Sequence, residues 1–239
     1  MESITVLYDN RAVNGFTADW GFSALIETEE ETLLFDTGAK SEVLKENGEK
    51  AGVDWQSIDF IFISHNHWDH TGGLPFVLQV TNQPELFVPE TDLEYFEELT
   101  GEKAVCVPVN APTYISDKFI STGIMPTGME SPAAEHSLIF KSKQGFILIT
   151  GCSHPGIVEI AERATAICGE KLLLTLGGFH LYKKDATEIE EISQKLKNFT
   201  EYVAPCHCTG DLGIEIFKDN WKERFVEVKA GVEIPLQEA

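Results

Sequence analysis

Positive charge is what this sequence has least of. Only 18 lysines and arginines stand against 39 acidic residues, for a formal charge of -21, and no basic stretch is longer than Lys183-Lys184. A protein that tracks a phosphate backbone needs lysine and arginine on its contact face, so nucleic acid is excluded as an expected partner. Long apolar runs are missing too. None approaches the roughly 18 residues that a membrane span requires, so no membrane partner is expected. Cysteine is sparse: Cys106, Cys152, Cys168, Cys206 and Cys208 make an odd set with irregular spacing, unlike a disulfide framework and suited to a reducing compartment. The opening Met1 to Asp9 lacks a basic segment followed by an apolar one and reads as a strand, so no export signal and a cytoplasmic location are expected. Repeats of solenoid period, low-complexity tracts and linkers are also absent. What is present is 239 residues at 43% hydrophobic content, enough for one domain with a sizeable core.

The first third reads as strand after strand: 4–8, 21–28 and 32–35, with Thr28-Glu29-Glu30-Glu31 as a turn. A helix is predicted from Ser41, capped by its own hydroxyl, with Val43, Leu44 and Ala51 facing inward and Gly52 as the stop. A buried strand over 58–63 comes next. Residues 74–80 read as a short helix, 86–88 as a strand, and 91–99 as a helix with Leu93, Phe96 and Leu99 on one face. Between Val105 and Thr127, Pro108, Pro112 and Pro126 interrupt a weak alternation, which predicts edge strands and loops. Strands follow at 137–142 and 146–150. The remainder alternates: helix 156–168, strand 171–176, helix 186–199, strand 202–204, helix 210–221 and a last strand 225–229. The pattern is that of a single α/β domain over residues 1–239.

The chemistry concentrates where the strand over 58–63 stops. In Ser64-His65-Asn66-His67-Trp68-Asp69-His70-Thr71-Gly72-Gly73, His65, His67, Asp69 and His70 fall within six positions. A loop there can turn imidazole nitrogens and a carboxylate toward one point. That is the ligand set of zinc or another borderline divalent cation. Three more histidines lie just past predicted strands: His154 in Cys152-Ser153-His154-Pro155-Gly156, His180 in Gly177-Gly178-Phe179-His180, and His207 in Cys206-His207-Cys208. Strand ends along one sheet edge lie near each other, so these loops predict a second cation site. His180 is either a ligand or a pocket residue. His207 is preferred to its neighbours, because on an extended segment His207 inward turns Cys206 and Cys208 away. His136 precedes a strand and ranks below the others. Cys152 is an additional soft ligand to consider, and Asp36, at a strand end before Thr37-Gly38, is read as an acceptor that orients a ligating imidazole.

This set of motifs resembles the metallo-β-lactamase fold superfamily. Gly21-Phe22-Ser23, Gly151-Cys152-Ser153-His154-Pro155-Gly156, Gly177-Gly178-Phe179-His180-Leu181 and Pro205-Cys206-His207-Cys208-Thr209-Gly210 narrow the resemblance. They are similar to the branch labelled 7,8-dihydropterin-6-ylmethyl-4-(β-D-ribofuranosyl)aminobenzene-5'-phosphate synthase. The resemblance implies an αββα sandwich, two mixed sheets face to face with helices outside, and a binuclear metal site at one edge. It implies His65, His67 and His154 around the first metal, and Asp69, His70 and His207 around the second. Two positions depart from the pattern: the turn that usually supplies a bridging Asp reads Gly151-Cys152, and Trp20 stands where the branch often has His.

The chemistry implied is hydrolysis of a small ester, thioester, phosphoester or amide by metal-activated water, with Asp69 as ligand and proton acceptor and a small molecule as partner. Two divalent ions are expected, zinc first, then iron or manganese. One alternative is a transferase joining a dihydropterin methyl pyrophosphate to ribofuranosylaminobenzene phosphate. The other is a non-catalytic metal or redox sensor using Cys152, Cys206 and Cys208.

Overall fold

Apolar residues alternate along the strands, and that alternation decides how the sheets stack. The computed structural model describes residues 2–236. Its first half runs β1 (Glu2–Tyr8), β2 (Ser23–Glu27), β3 (Thr32–Phe35), α1 (Ser41–Ala51), β4 (Phe60–Phe62), α2 (Trp68–Thr71), α3 (Leu74–Val80), β5 (Glu85–Pro89), α4 (Leu93–Thr100) and β6 (Val105–Val109). The second half runs β7 (Thr113–Tyr114), β8 (Phe119–Ser121), β9 (Met125–Pro126), β10 (Ala134–Glu135), β11 (Leu138–Ser142), β12 (Gly145–Thr150), α5 (Ile157–Cys168), β13 (Leu172–Gly178), α6 (Ala186–Leu196), β14 (Thr200–Cys206), α7 (Gly210–Trp221) and β15 (Glu233–Leu236).

Seven strands form one sheet in the order β15-β1-β2-β3-β4-β5-β6, and six form another in the order β14-β13-β12-β11-β8-β7. Leu33 and Phe35 face the second sheet, where Phe119, Phe140, Ile147 and Ile149 meet them, with Phe62 of neighbouring β4 stacked on Phe35. Leu34, between them, faces α1, α3 and α4 through Leu44, Leu74, Val77 and Phe96. On the far side Leu148 alternates the same way, packing with Ile160, Ile189 and Phe217 of α5, α6 and α7. Period-two side chains on both sheets thus produce the expected αββα sandwich. Each fully buried Phe, Leu or Ile contributes about 1.5–3 kcal/mol to it.

Several local expectations need correction. The cap of α1 is Lys40, without a side-chain hydrogen bond. Ser41 lies inside the helix and its hydroxyl donates to the Gly72 carbonyl at 3.3 Å. The inward stripe of α1 is Val43, Leu44, Asn47 and Gly48, while Ala51 is exposed. In α4 only Phe96 of the three expected residues is fully buried. Within 105–127, β8 is an inner strand between β7 and β11 rather than an edge. Residues 225–229 form no strand: Phe225 makes one bridge to Val203 and Ala230 one to Ala12, so the segment crosses from one sheet to the other. Val228 fills the core on the way, and the last strand is β15.

β3 and β4 run parallel, as do β12, β13 and β14. Their carboxyl ends lead into Asp36, His65, Cys152, His180 and His207. Carboxyl ends of parallel strands are where loops converge on a site.

Candidate metal centre

The two sheets touch at Gly151. A Cβ there would lie 2.1 Å from the Ser64 hydroxyl and 3.1 Å from the Asp36 carboxylate, so only glycine lets the β12 loop approach the β4 loop. Asp36, in the left-handed region at φ 49°, accepts from the Ser64 amide at 2.8 Å and the Ser64 hydroxyl at 2.7 Å. The turn after it holds the one-turn helix α2, with Thr37 donating its amide and hydroxyl to the His70 carbonyl at 2.7 and 2.9 Å. Asp69 and His70 therefore ride on a short helix whose end is tied to β3.

The hydrogen-bond network assigns the imidazole tautomers. Ser64 gives its only hydroxyl proton to Asp36, so it accepts from His65 Nδ1 at 2.8 Å, leaving His65 Nε2 bare. His67 Nε2 faces the Ser131 carbonyl at 3.4 Å, which can only accept, leaving His67 Nδ1 bare. These two lone pairs face each other at 3.1 Å. His154 donates Nδ1 to Glu135 at 2.8 Å, His70 donates Nδ1 to Asp36 at 2.7 Å, and His207 donates Nδ1 to Asn10 at 3.1 Å. In its neutral form each of these five imidazoles thus turns a bare nitrogen inward. Lone pairs so placed repel one another unless a cation lies among them, and the outward hydrogen bonds are the kind that fix ligating histidines.

Cys152 sits at the middle. Its sulfur is 3.2 Å from His70 Nε2 and 3.4 Å from His207 Nε2. Donor atoms of His65, Cys152 and His154 lie within 4.8 Å of one another, as do those of His70, Cys152 and His207. Asp69 Oδ2 is 3.5 Å from His207 Nε2 and accepts from Trp20 Nε1 at 2.7 Å. Burial opposes ionisation of Asp69, but the His207 hydrogen bond and the His70 charge outweigh it and hold the carboxyl well below its usual range. Burial likewise opposes a charge on His70, yet Asp36, and beyond it Asp69, push that imidazole up to about 9. The site attracts positive charge.

Residues 18–159, more than half of the chain, match the model of the metallo-beta-lactamase superfamily. The chain belongs to that superfamily. An uncharacterized protein of Methanocaldococcus jannaschii is 32% identical over 239 aligned positions, covering 87% of this chain and 90% of its own. A second protein of that organism, 7,8-dihydropterin-6-methyl-4-(beta-D-ribofuranosyl)-aminobenzene-5'-phosphate synthase, is 28% identical across 90% of each chain. Among solved structures, a metal-dependent hydrolase of the beta-lactamase superfamily superposes with a TM-score of 0.84 at 29% identity, over 100% of both chains.

For this metallo-beta-lactamase superfamily member, the structure brings His65, His67, Asp69, His70, His154 and His207 together with Cys152, and places Asp36 on His70. His180 stands apart from the five converging imidazoles, beside Cys208 and the His154 ring at 4.5 Å. His136 is remote in function: Nε2 donates to the Ile63 carbonyl at 2.7 Å, Nδ1 accepts from Ser121 at 2.9 Å, and the ring stacks on Phe62. The expectation that both flanking cysteines turn away from His207 holds for Cys206, which lies in the inter-sheet core. For Cys208 it fails. His207 has φ 48° and begins a tight 3-10 turn, so extended alternation does not apply and Cys208 lines the cavity beside Cys152.

Glu135, Asp9 and Asn10 were missed. Glu135 accepts from the amides of Cys152, Ser153 and His154 at 3.1, 2.8 and 2.9 Å as well as from the His154 ring. Asp9 accepts the His207 amide at 2.8 Å. Each comes from a segment remote in sequence. The one available signal was an acidic or amide residue immediately beyond or within a strand, at Asp9-Asn10 after β1 and at Glu135 before His136.

Proposed function

We infer that this protein is a metal-dependent hydrolase acting on a small ester, thioester, phosphoester or amide. Two divalent cations, zinc first, are assigned to His65, His67 and His154 on one side and to Asp69, His70, Cys152 and His207 on the other. The observation that carries the reading is the set of five imidazoles, each held by an outward hydrogen bond with its other nitrogen turned inward, around one thiol and one carboxylate. Such a nitrogen, sulfur and oxygen donor set fits a borderline divalent ion, with a thiol at the position where a bridging carboxylate was expected. When bound, the ions supply Lewis acidity and make water acidic enough to attack near neutral pH.

The chain's own residues do the rest. Asp69 is ionised and faces the cavity, so its carboxylate accepts a proton from the attacking water and returns it to the leaving group. Trp20 holds Oδ2 so that the carboxylate keeps one orientation through that transfer. Asp36, Glu135 and Asn10 keep three imidazoles in the tautomer the site needs. Above them lies a cavity of about 260 Å³ lined by Trp20, His67, Trp68, Asp69, His154 and Tyr182 among others, with no lysine or arginine. Its size limits the part of the substrate that enters to a small group. The aromatic rim favours an apolar or planar body outside it.

The synthase relative favours a second reading, a transferase that joins a dihydropterin methyl pyrophosphate to ribofuranosylaminobenzene phosphate. The cavity gives that reading little help, since no basic side chain lines it to hold a pyrophosphate. The test is metal content per chain in freshly purified protein, then turnover of lactone, thioester, phosphodiester and pterin substrates, with Asp69→Ala as control. Hydrolysis lost in the variant is expected. Less than about half an equivalent of metal, against the full coordination that a catalytic metal site requires, or full activity in Asp69→Ala, sinks the reading.

A further inference from the structure

We propose that Cys152, His180 and Cys208 form a third site, for a thiophilic cation, which shares Cys152 with the histidine-lined centre. The two sulfurs and a ring nitrogen of His180 lie within 4.8 Å of one another. Two thiols and one imidazole make a donor set that selects zinc, cadmium or copper(I) over magnesium or calcium. Neither Cys208 nor His180 has another evident task. Cys208 gives a long bond to the Cys152 carbonyl at 3.5 Å, and its thiol otherwise interacts with the other two members of the proposed site, Cys152 and His180. His180 Nδ1 is a buried polar atom without a hydrogen-bond partner among the described residues, an arrangement that costs free energy unless something binds there.

The backbone is bent to bring these atoms together. His180 has φ 52° and His207, next to Cys208, has φ 48°, a left-handed conformation that non-glycine residues adopt at a cost and retain chiefly at functional sites. Gly178 completes the arrangement: a Cβ there would stand 2.6 Å from the Cys208 sulfur and 2.5 Å from the Gly151 carbonyl. All three donors line the same cavity as His67, Asp69 and His154. A cation can therefore enter from solvent, and its remaining coordination position faces the space assigned to substrate. Since Cys152 serves both sites, a soft ion held by Cys208 and His180 draws Cys152 away from His70 and His207. Exposure to thiophilic metal then becomes a way to silence the histidine centre.

The test is a cadmium titration of the stripped full-length protein, in a background where the half-buried Cys106 and Cys168 are serine. The thiolate-to-cadmium absorption in the ultraviolet reports cysteine ligation whatever the enzymatic activity. A Cys208-dependent equivalent is expected. Cys208→Ser should remove one equivalent of cadmium and about half of the absorption, as expected when one of two thiolate ligands is lost. His180→Ala should weaken that same equivalent by roughly tenfold or more. Circular dichroism of Cys208→Ser and of Cys208→Ala shows whether each variant is folded. If folded variants keep the full absorption and stoichiometry, the third site does not exist. His65→Ala separates this proposal from the hydrolase reading: it should lower binding at the histidine centre and leave the Cys208-dependent absorption in place.

Discussion

His136 shows how a buried titratable group ties stability to pH. Burial pulls the imidazole down to about 4, against the helping bond to the Ile63 carbonyl. Unfolded, it titrates near 6.5, so between those values the unfolded chain carries the extra proton. Stability contributed by neutral His136 is therefore fully present above about pH 6.5 and is lost as pH falls toward 4, by roughly 3 kcal/mol in all. Urea denaturation at a series of pH values should show that slope, and His136→Gln, which still reaches Ile63 and Ser121, should flatten it. Glu135 acts on the site instead. Burial opposes its ionisation, but the hydrogen bond from the His154 ring and those from the His154 and Ser153 amides outweigh it and hold the carboxyl below its usual range. Glu135→Gln removes the charge and one acceptor from a loop that donates to both oxygens. Zinc affinity, read by competition with a chromogenic chelator, should fall roughly 10–100-fold; an unchanged affinity would mean that His154 does not depend on its partner.

Elements differ in how much of their cause is local. α6 begins with a reciprocal cap: the Asp185 carboxylate accepts from the Thr187 and Glu188 amides at 2.9 and 3.0 Å, and Glu188 reaches back to the Asp185 amide at 3.2 Å. Asp185→Ala should lower stability by about 1 kcal/mol, seen as a drop in thermal midpoint without change at the metal centre. Because helix α6, like β3, α3 and α7, is specified by its own residues, its extent was legible within a few positions. The same holds for the cluster from His65 to His70, whose donors are packed into one stretch. Other features depend on contacts that no local pattern records. Residues 225–229 have strand-like residues, but after one bridge from Phe225 to the open edge of β14 the segment leaves that edge and crosses to the other sheet, where Ala230 bridges Ala12. Ala51 was misplaced because Gly48 and Asn47, not apolar residues, face inward: a Cβ on Gly48 would strike the Trp55 ring at 2.1 Å. Extended alternation would turn Cys208 away from the site, whereas a left-handed His207 redirects it. Glu135 and Asp9 reach the centre only through long-range folding.

At the scale of the whole molecule, a formal charge of -21 favours the approach of cations over that of anions. Among the described residues no helix is long and apolar enough to cross a membrane. The tight contact of Gly151 with Ser64 has a mechanical meaning for this molecule. His65, His67, Asp69 and His70 come before it in the chain, and Cys152, His154 and His207 come from the other sheet, so ions held as proposed would act as a clasp across a seam. Cutting the chain between β6 and β7, within Asn110-Ala111-Pro112, leaves four of these donors on one fragment and three on the other. Mixed fragments should reassociate in the presence of zinc and separate when a chelator is added, as followed by tryptophan fluorescence. Equal reassociation with and without metal would show that the apolar faces alone hold the halves together. If the clasp is in force, a cation would join donors from the two sheets across that seam, and its removal would loosen the contact between them.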